Sequence, residues 1–193
     1  AIITNKFYKN INITQFVVKD ITASLKKLLE KMKKNPPNNI IGITGTNGKT
    51  SVLWNINQIL SFLKKDVKSY GTLGCYSNLK KIEDSLLTTP EYEILYQKSF
   101  SNSKKKFEFV FEVSSHAISK QRIKDFPINI AALTNITQDH LDFHKTILNY
   151  RNTKFKLFLK HLKSNGIAIL NDKVDYIETL KRRLKLKKHK IIS

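Results

Sequence analysis

The sequence predicts an α/β fold in which a parallel β-sheet is flanked by helices. Apolar runs at residues 107–113 and 128–133 are rich in β-branched and aromatic side chains, as buried strands are. Segments whose apolar residues recur with helical spacing separate such runs along the chain. Polar clusters follow three of the expected strands, at residues 44–51, 112–116 and 134–144. Because ligands of parallel sheets lie at the carboxyl ends of the strands, we expect these clusters to meet.

The length and composition of the chain limit the classes of protein to which it can belong. The 193 residues are enough for one α/β domain with a sizeable core, and no apolar run approaches the length of a membrane span. The first residues lack the charged and then apolar layout of a signal peptide. Cys75 is the single cysteine, so no disulfide framework is expected and the chain suits a reducing compartment. We therefore expect a globular cytoplasmic protein that does not enter a membrane.

The chain carries a formal net charge of +20, which alone would suggest a nucleic-acid binder. Nearly all of this charge is lysine, whereas base-reading proteins favour the arginine fork. The densest basic cluster, at residues 181–188, is interpreted as a solvated helix end. We therefore expect no nucleic-acid partner, and the positive field should instead favour small anionic substrates such as nucleotides.

The N-terminal part contains one helix before the first long strand. Residues 1–19 are expected to form short strands and turns, and Asp20 is expected to cap the helix that follows. The apolar face of this helix is made of Ile21, Leu25, Leu28, Leu29 and Met32. Residues 35–38 read Asn-Pro-Pro-Asn and form a linker, so the core domain should start near Asn39.

Residues 40–51 follow the pattern of strand, glycine turn and helix. Their apolar start predicts a buried strand, and two glycines lie in the turn. The turn ends in Lys49-Thr50-Ser51, and the apolar residues that follow, from Val52 on, have helical spacing. Such a turn binds phosphate, since its amides and the helix N-terminus point at the anion, and the hydroxyl of Thr50 can hold Mg²⁺. The common pattern has glycine where this chain has Ile43, but the flanking strand and helix favour a phosphate site over an ordinary turn.

The next elements lead to a carboxylate at a strand end. Residues 67–70 are expected to form a short strand, and residues 71–74 a turn. Thr89 is expected to cap a helix, because the proline that follows suits the first helical position. In the strand 107–113 the aromatic residues alternate onto one face, which leaves Glu112 on the other face, close to the carboxyl end.

The remaining chain alternates helices and strands. The expected elements are helix 146–162, strand 166–170, helix 174–184 and a strand that starts at residue 190. On the first of these helices Lys154 lies on or beside the apolar face, whereas Lys156 should be solvated. Spacing alone favours a Lys154 that snorkels at the edge of the apolar stripe.

Two residues of the polar clusters could bind a metal ion. Glu112 could supply the oxygen that Mg²⁺ prefers, and a nearby phosphate loop favours this role over that of an exposed glutamate at the sheet edge. His140 could be a second ligand, although a lone histidine is more often structural. For His144 the structural interpretation is the better one.

Several motifs occur in order along the chain. They are Gly42-Ile43-Thr44-Gly45-Thr46-Asn47-Gly48-Lys49-Thr50, Thr88-Thr89-Pro90, Glu112-Val113-Ser114-Ser115-His116-Ala117, Arg122, residues 134–142, Tyr150 and Lys154. Together they resemble the central domain of the Mur ligases, the ATP-dependent enzymes of peptidoglycan synthesis. The resemblance covers about residues 39–193, and within the family it is to the member that adds the third amino acid of the stem peptide.

The resemblance implies roles for these residues. The ATP phosphates would be bound by Gly45, Thr46, Asn47, Gly48, Lys49, Thr50 and Ser51. One Mg²⁺ would be held by Thr50 and Glu112. A second would be held or oriented by His140 and a carbamylated Lys154, and these two residues with Lys49 would be catalytic. The UDP-muramoyl dipeptide would be contacted by Thr88, Thr89, Ser114 and Arg122.

The implied reaction joins UDP-N-acetylmuramoyl-L-alanyl-D-glutamate to an amino acid, diaminopimelate or lysine. The substrate carboxylate would attack the γ-phosphate of ATP to give an acyl phosphate, and the amino group would then displace phosphate. We expect a monomer. The alternatives are another Mur ligase, folylpolyglutamate synthase, and a nucleotide-binding fragment without activity.

The same resemblance implies two regions. Residues 1–38 would be a remnant of an N-terminal UDP-binding domain and its linker, and residues 39–193 would be the central ATP-binding domain. The third domain of the family, which binds the amino acid, is not represented. We therefore expect a fold that is incomplete at both ends and a chain that is inactive alone.

Overall fold

The computed structural model describes residues 1–31, 35–100 and 105–193. Within these residues the strands are β1 (Ile2–Thr4), β2 (Gln15–Val17), β3 (Ile40–Thr44), β4 (Asp66–Gly71), β5 (Gly74–Ser77), β6 (Lys80–Glu83), β7 (Phe107–Glu112), β8 (Ile128–Leu133), β9 (Leu162–Leu170) and β10 (Lys190–Ile192). The helices are α1 (Ile21–Lys31), α2 (Lys49–Phe62), α3 (Tyr92–Lys98), α4 (Ser115–Ser119), α5 (Leu141–His144), α6 (Ile147–Lys156) and α7 (Ile177–Leu186). None of these helices is both long and apolar enough to cross a membrane.

Most of the strands in the described ranges form one large sheet in the order β10-β9-β8-β3-β7-β4-β5-β6. All pairings from β10 to β4 are parallel, which confirms the predicted α/β fold. The expected last strand is present as β10. The short strands β1 and β2 pair with each other in a separate parallel ribbon.

The sheet continues into an antiparallel extension that the sequence analysis did not predict. β4 pairs with β5 and β5 with β6, both antiparallel. The turn expected at residues 71–74 is therefore only Thr72 and Leu73. A strand of four residues is too short for a period of two to stand out from a loop. Lys80 and Lys81 are exposed on β6, at the sheet edge, where lysine discourages pairing with another chain.

The central strand β3 lies between β7 and β8. Ile43 is level with Glu112 of β7 and with Ala132 of β8. The segments that follow these three strands therefore leave the sheet side by side. This register confirms that the three polar clusters meet at the carboxyl ends of the strands.

Apolar side chains pack on both faces of the sheet. The larger hydrophobic core, on one face of the sheet, contains the alternating residues Phe107, Phe109, Phe111 and Val113. On the opposite face Val110 packs with Leu53 of α2. This confirms the alternation predicted for the strand. Because burial of one phenylalanine contributes roughly 1.5–3 kcal/mol, a shift of β7 by one residue would be strongly disfavoured, and the position of Glu112 is fixed.

The helix ends agree with the expectations in part. Asp20 caps α1 as predicted, since its Oδ1 accepts a hydrogen bond from the N–H of Ala23 at 2.9 Å. Met32, which was expected on the apolar face of this helix, lies outside the described residues. The hydroxyl of Thr146 caps α6 by accepting from the N–H of Asn149 at 3.1 Å.

Two helix boundaries were wrong. The helix expected to reach residue 162 changes after α6 into one turn of π-helix, Leu157–His161, and Leu162 already pairs with Ile128 as the start of β9. The strand expected at residues 166–170 therefore begins earlier, at Leu162. α7 starts at Ile177 rather than at residue 174, because the left-handed backbone of Tyr176 separates it from the preceding turn.

Candidate nucleotide and metal site

The loop between β3 and α2, residues 45–48, needs glycine at two positions. Gly45 has a φ of +153°, and a Cβ there would overlap the hydroxyl of Thr134. Gly48 has a φ of +81°, in the left-handed region that glycine tolerates. α2 begins directly at Lys49, so its first amides, which have no partners within the helix, lie at the carboxyl end of β3. A loop of this kind followed by a helix N-terminus favours an anion.

The segment after β8 braces this loop. Thr134 Oγ1 donates to the carbonyl of Asn47 at 2.6 Å, and the N–H of Asn47 donates to Asn135 Oδ1 at 2.9 Å. The N–H of Thr46 donates to the carbonyl of Asn135 at 3.0 Å, and its hydroxyl accepts from the N–H of Thr137 at 3.0 Å. The polar groups of Thr46 and Asn47 therefore hold the shape of the loop, and the amides that begin α2 are the better placed to bind phosphate.

Two lysines converge on one carbonyl of the loop. Lys49 Nζ donates to the carbonyls of Gly45 and Thr46 at 2.9 and 2.8 Å. Lys154 Nζ donates to the same carbonyl of Gly45 at 2.8 Å. Lys154 is only 1% exposed, so the interpretation of a snorkelling side chain was wrong. Lys156 is exposed, as predicted.

Burial lowers the pKa of both lysines. Burial, reinforced by the positive charge of Lys49, lowers the pKa of Lys154 to about 7, although Asp139 opposes the shift. Burial also lowers the pKa of Lys49, against the opposing charges of Glu112 and Asp139. A large fraction of Lys154 is therefore a neutral amine near pH 7, and a neutral amine is a nucleophile.

Glu112 and Thr50 form the oxygen pair of the site. Glu112 ends β7 and is 1% exposed, so the alternative interpretation of an exposed edge glutamate was wrong. Thr50 Oγ1 donates to Glu112 Oε1 at 3.0 Å. Carboxylate and hydroxyl oxygens are ligands that Mg²⁺ prefers, so this donor set fits a divalent cation.

Three histidines, His116, His140 and His144, form an aromatic cluster beside Tyr150. His140 is exposed, and its ring centre lies 4.9 Å from that of His116 and 6.2 Å from that of Tyr150. His144 is buried with its ring 5.1 Å from Tyr150, which agrees with its structural interpretation. Burial lowers the pKa of His116 and of His144.

The second metal site is less well defined. In the ranges that the structure describes, no three histidine, cysteine, aspartate or glutamate side chains are grouped so that they could hold a metal ion. Lys154 Nζ donates to the carbonyl of Gly45, and its ammonium form has no lone pair for a metal. The assignment of His140 and Lys154 to a second Mg²⁺ therefore stays a prediction.

The helix cap expected at Thr89 was wrong. α3 begins later, at Tyr92, and Glu91 is its cap residue. The hydroxyl of Thr89 is buried and donates to the main-chain carbonyl of Glu112 at 2.8 Å, while it accepts from the N–H of Ser114 at 2.9 Å. A threonine before proline is a local signal for a helix start. Here its hydroxyl does not cap a helix, because it is hydrogen-bonded to main-chain groups that are distant in the sequence.

The other residues expected to contact substrate lie around Thr89. Ser114 caps α4, and its Oγ lies 3.3 Å from the hydroxyl oxygen of Thr89. Arg122 Nη1 donates to the carbonyl of Thr89 at 3.1 Å, and its Nε pairs with Glu91 at 2.9 Å. A cavity of about 690 Å³ opens beside Arg122 and Glu91. The half-buried Thr88 adjoins this group, so the structure brings the four predicted residues together.

Two residues that the sequence analysis missed also belong to the site. The N–H of Thr72 donates to Glu112 Oε1 at 2.8 Å, and its hydroxyl lies 3.2 Å from that of Thr88. Asn171 Nδ2 donates to the carbonyl of Thr134 at 2.6 Å. Both residues directly follow the carboxyl end of a strand, β4 and β9, and that position is the signal that could have found them.

The fold and the loop define a P-loop protein of the parallel α/β class. The family model described as Mur ligase middle domain matches residues 43–193. The chain therefore belongs to the Mur ligase middle domain family.

Individual proteins of known sequence or structure resemble the chain over nearly its whole length. The UDP-N-acetylmuramoyl-L-alanyl-D-glutamate--2,6-diaminopimelate ligase of Rickettsia montanensis is 40% identical over 180 residues, which are 90% of this chain and 37% of that protein. A solved structure of a ligase of the same name has a TM-score of 0.74 at 24% identity and covers 99% of this chain and 39% of that one. The MurF ligase from Thermotoga maritima in complex with ADP has a TM-score of 0.65 at 22% identity, over 99% of this chain and 40% of that one. The chain thus spans about two fifths of the length of each.

Proposed function

We propose that this chain is the ATP-binding part of a ligase that adds 2,6-diaminopimelate to UDP-N-acetylmuramoyl-L-alanyl-D-glutamate. The observation that carries the proposal is the Thr50–Glu112 pair beside a loop on which Lys49 and Lys154 converge. The name of the Rickettsia relative, which is 40% identical, favours diaminopimelate over lysine as the added amino acid. In this proposal residues 39–193 are the ATP-binding domain, and residues 1–38 belong to a UDP-binding domain and its linker.

ATP is the substrate of the phosphate loop. The amides that begin α2 and the ammonium of Lys49 bind its phosphates, and Lys49 exchanges its bonds to the loop carbonyls for bonds to phosphate oxygens. The ADP bound to the Thermotoga MurF ligase, which shares this fold, supports the assignment. Lys49 then stabilises the negative charge that spreads over the transferring phosphoryl group.

Thr50 and Glu112 hold one Mg²⁺ with the nucleotide, because their oxygens suit a hard cation and already lie within hydrogen-bonding distance. When bound, the ion acts as a Lewis acid that neutralises charge on the phosphate oxygens. His140 and a carbamylated Lys154 hold or orient a second ion. Carbamylation replaces an ammonium, which would repel the ion, with an anionic oxygen ligand.

The UDP-muramoyl dipeptide, whose carboxylate accepts the phosphoryl group, binds on the side of Glu112 that is opposite the phosphate loop. Thr88, Thr89, Ser114 and Arg122 contact the UDP-muramoyl dipeptide, and the guanidinium of Arg122 provides positive charge for an anionic substrate. The substrate carboxylate attacks the γ-phosphate of ATP, which forms the acyl phosphate and releases ADP. The amine of diaminopimelate then attacks the acyl carbon, forms the peptide bond and releases phosphate.

The ligase reaction of the complete gene product tests this proposal. With ATP, Mg²⁺ and the muramoyl dipeptide, we expect the tripeptide product, ADP and phosphate when diaminopimelate is supplied, and far less product with lysine. Glu112→Gln and His140→Ala should each lower the rate at limiting Mg²⁺ by about tenfold or more. The control is Glu178→Gln, an exposed glutamate of α7, which should leave the rate unchanged. A protein that consumes no ATP with either amino acid would contradict the proposal.

A further inference from the structure

The carboxylate of Glu112 is held from two sides. On the side of the phosphate loop, Thr50 donates to Oε1 at 3.0 Å. On the other side, the turn after β4 reaches the same group, since the N–H of Thr72 donates to Oε1 at 2.8 Å and its hydroxyl donates to Oε2 at 3.3 Å. Because one residue binds both oxygens, it fixes the rotation of the carboxylate as well as its place.

Gly71 makes the room that this carboxylate occupies. Tyr70 of β4 is level with Phe111 of β7, so the next residues of the two strands, Gly71 and Glu112, are neighbours. A Cβ at position 71 would overlap Glu112 Oε1 and lie 2.9 Å from its Cδ. The φ of Gly71 is not in the positive range. The need for glycine here therefore arises from the Glu112 side chain and not from the turn.

The same turn joins Glu112 to the segment expected to contact substrate. The hydroxyl of Thr72 lies 3.2 Å from that of Thr88. The main-chain carbonyl of Glu112 accepts from the hydroxyl of Thr89 at 2.8 Å. Glu112 is thus fixed through its main chain and through its side chain, by different residues.

We propose that Gly71 and Thr72 are positioning residues, which orient the Glu112 carboxylate toward Thr50 for a divalent cation that binds with the nucleotide. Neither residue touches the nucleotide, and both act through Glu112. A free glutamate would lose rotamer freedom when it ligates a cation, whereas a carboxylate already fixed by the fold loses little. The inference rests on the proposed function, because it requires Mg²⁺ and a nucleotide to bind at the Thr50–Glu112 pair.

Calorimetry of ADP binding, in excess Mg²⁺ and again in EDTA, tests the positioning role. The wild-type chain should bind ADP more tightly with Mg²⁺. Gly71→Ala should reduce this gain by about tenfold, because its methyl group displaces the carboxylate. Thr72→Val should reduce it by about threefold, since the backbone N–H remains, and Thr72→Ser should keep it. ADP affinity in EDTA should be the same for all these variants.

Two controls match these changes. Gly166→Ala places a methyl group against Leu162 and the main-chain carbonyl of Lys163 within β9, so it is a steric change at least as large, away from Glu112. Thr179→Val removes an exposed threonine hydroxyl from α7. Both should keep the full gain from Mg²⁺.

A stability cycle tests the steric argument without any nucleotide. Gly71→Ala alone should lower the midpoint of thermal unfolding, because the methyl group and the carboxylate compete for one space. In a Glu112→Ala background the same substitution should lower the midpoint by less than half as much. An equal effect in both backgrounds would overturn the steric argument.

The outcomes separate the inference from the proposed function. Wild-type protein whose ADP affinity does not respond to Mg²⁺ would contradict the proposed metal pair, and the inference with it. A wild-type response that Gly71→Ala and Thr72→Val retain in full would overturn the inference alone. Equal losses with Mg²⁺ and with EDTA would show a merely structural role and would also overturn it.

Discussion

The ammonium of Lys154 is poorly solvated where it lies, because the side chain is 1% exposed and Lys49 binds the same carbonyl of the loop. Helical spacing predicted that Lys154 lies beside the apolar stripe of its helix. It could not predict the bond to Gly45, which is 109 residues away in the sequence. Glu112 and Thr50 could be predicted from their local motifs, whereas Thr72 depends on strand pairing and was missed.

The low pKa of Lys154 should make stability depend on pH. The pKa is about 7 in the folded protein and 10.5 in an unfolded chain, so between these values the unfolded state binds more protons and stability rises with pH. In buffers free of carbon dioxide, the free energy of unfolding should gain about 1.5 kcal/mol from this residue between pH 7 and 8.5. Denaturant titrations at both pH values should show this gain lost in Lys154→Met and kept in Lys156→Met. A gain that persists in Lys154→Met would assign it to other groups.

A neutral, buried amine should also react with carbon dioxide. The amine of Lys154 attacks the carbon, an N–C bond forms, and a proton is released to leave an anionic carbamate. With ¹³C-labelled bicarbonate and Mg²⁺, we expect one carbamate carbon resonance by NMR that disappears in Lys154→Ala and remains in Lys156→Ala. If no resonance depends on Lys154 at saturating bicarbonate, the proposed carbamylation does not occur in this chain.

At the scale of elements, the segment before α3 shows what a local pattern cannot reveal. The sequence Thr-Pro signals a helix start. The hydroxyl of Thr89 instead forms hydrogen bonds with the carbonyl of Glu112 at the end of β7 and with the N–H of Ser114, which precedes α4. The segment is thereby tied to the strand that carries Glu112. The π-helical turn and the early start of β9 were missed for a similar reason, because strand pairing overrides the helical spacing there.

Removal of the Thr89 hydroxyl should therefore destabilise the fold. Thr89→Val keeps the shape of the side chain but leaves the buried carbonyl of Glu112 and the N–H of Ser114 without this partner. We expect a loss of about 2–3 kcal/mol in the free energy of unfolding by denaturant titration. The neighbouring Thr88→Val should cost less than about 1 kcal/mol, since Thr88 is only half-buried. Equal losses would show that the bonds of Thr89 contribute little.

At the scale of the whole molecule, the parallel sheet and the meeting of the polar clusters could be predicted. Buried parallel strands read as apolar runs, and their carboxyl ends share one edge of the sheet. The antiparallel hairpin of β5 and β6 could not be predicted, because its strands are short and partly exposed. The turn at Thr72 was predicted, but its contact with the Glu112 carboxylate, on which the proposed metal site depends, was not.

The central claim is that the loop of residues 45–48 and the first turn of α2 bind the phosphates of ATP. Calorimetry with a non-hydrolysable ATP analogue and Mg²⁺ tests it most directly. Lys49→Ala should weaken binding by about tenfold or more, because a charged hydrogen-bond donor to phosphate is lost. Lys65→Ala is the matched control, since it removes the same charge from a chain of net charge +20 at an exposed position. We expect that variant to bind within about twofold of the wild type. Equal affinities for the two variants, or a wild-type chain that binds no nucleotide, would contradict the claim.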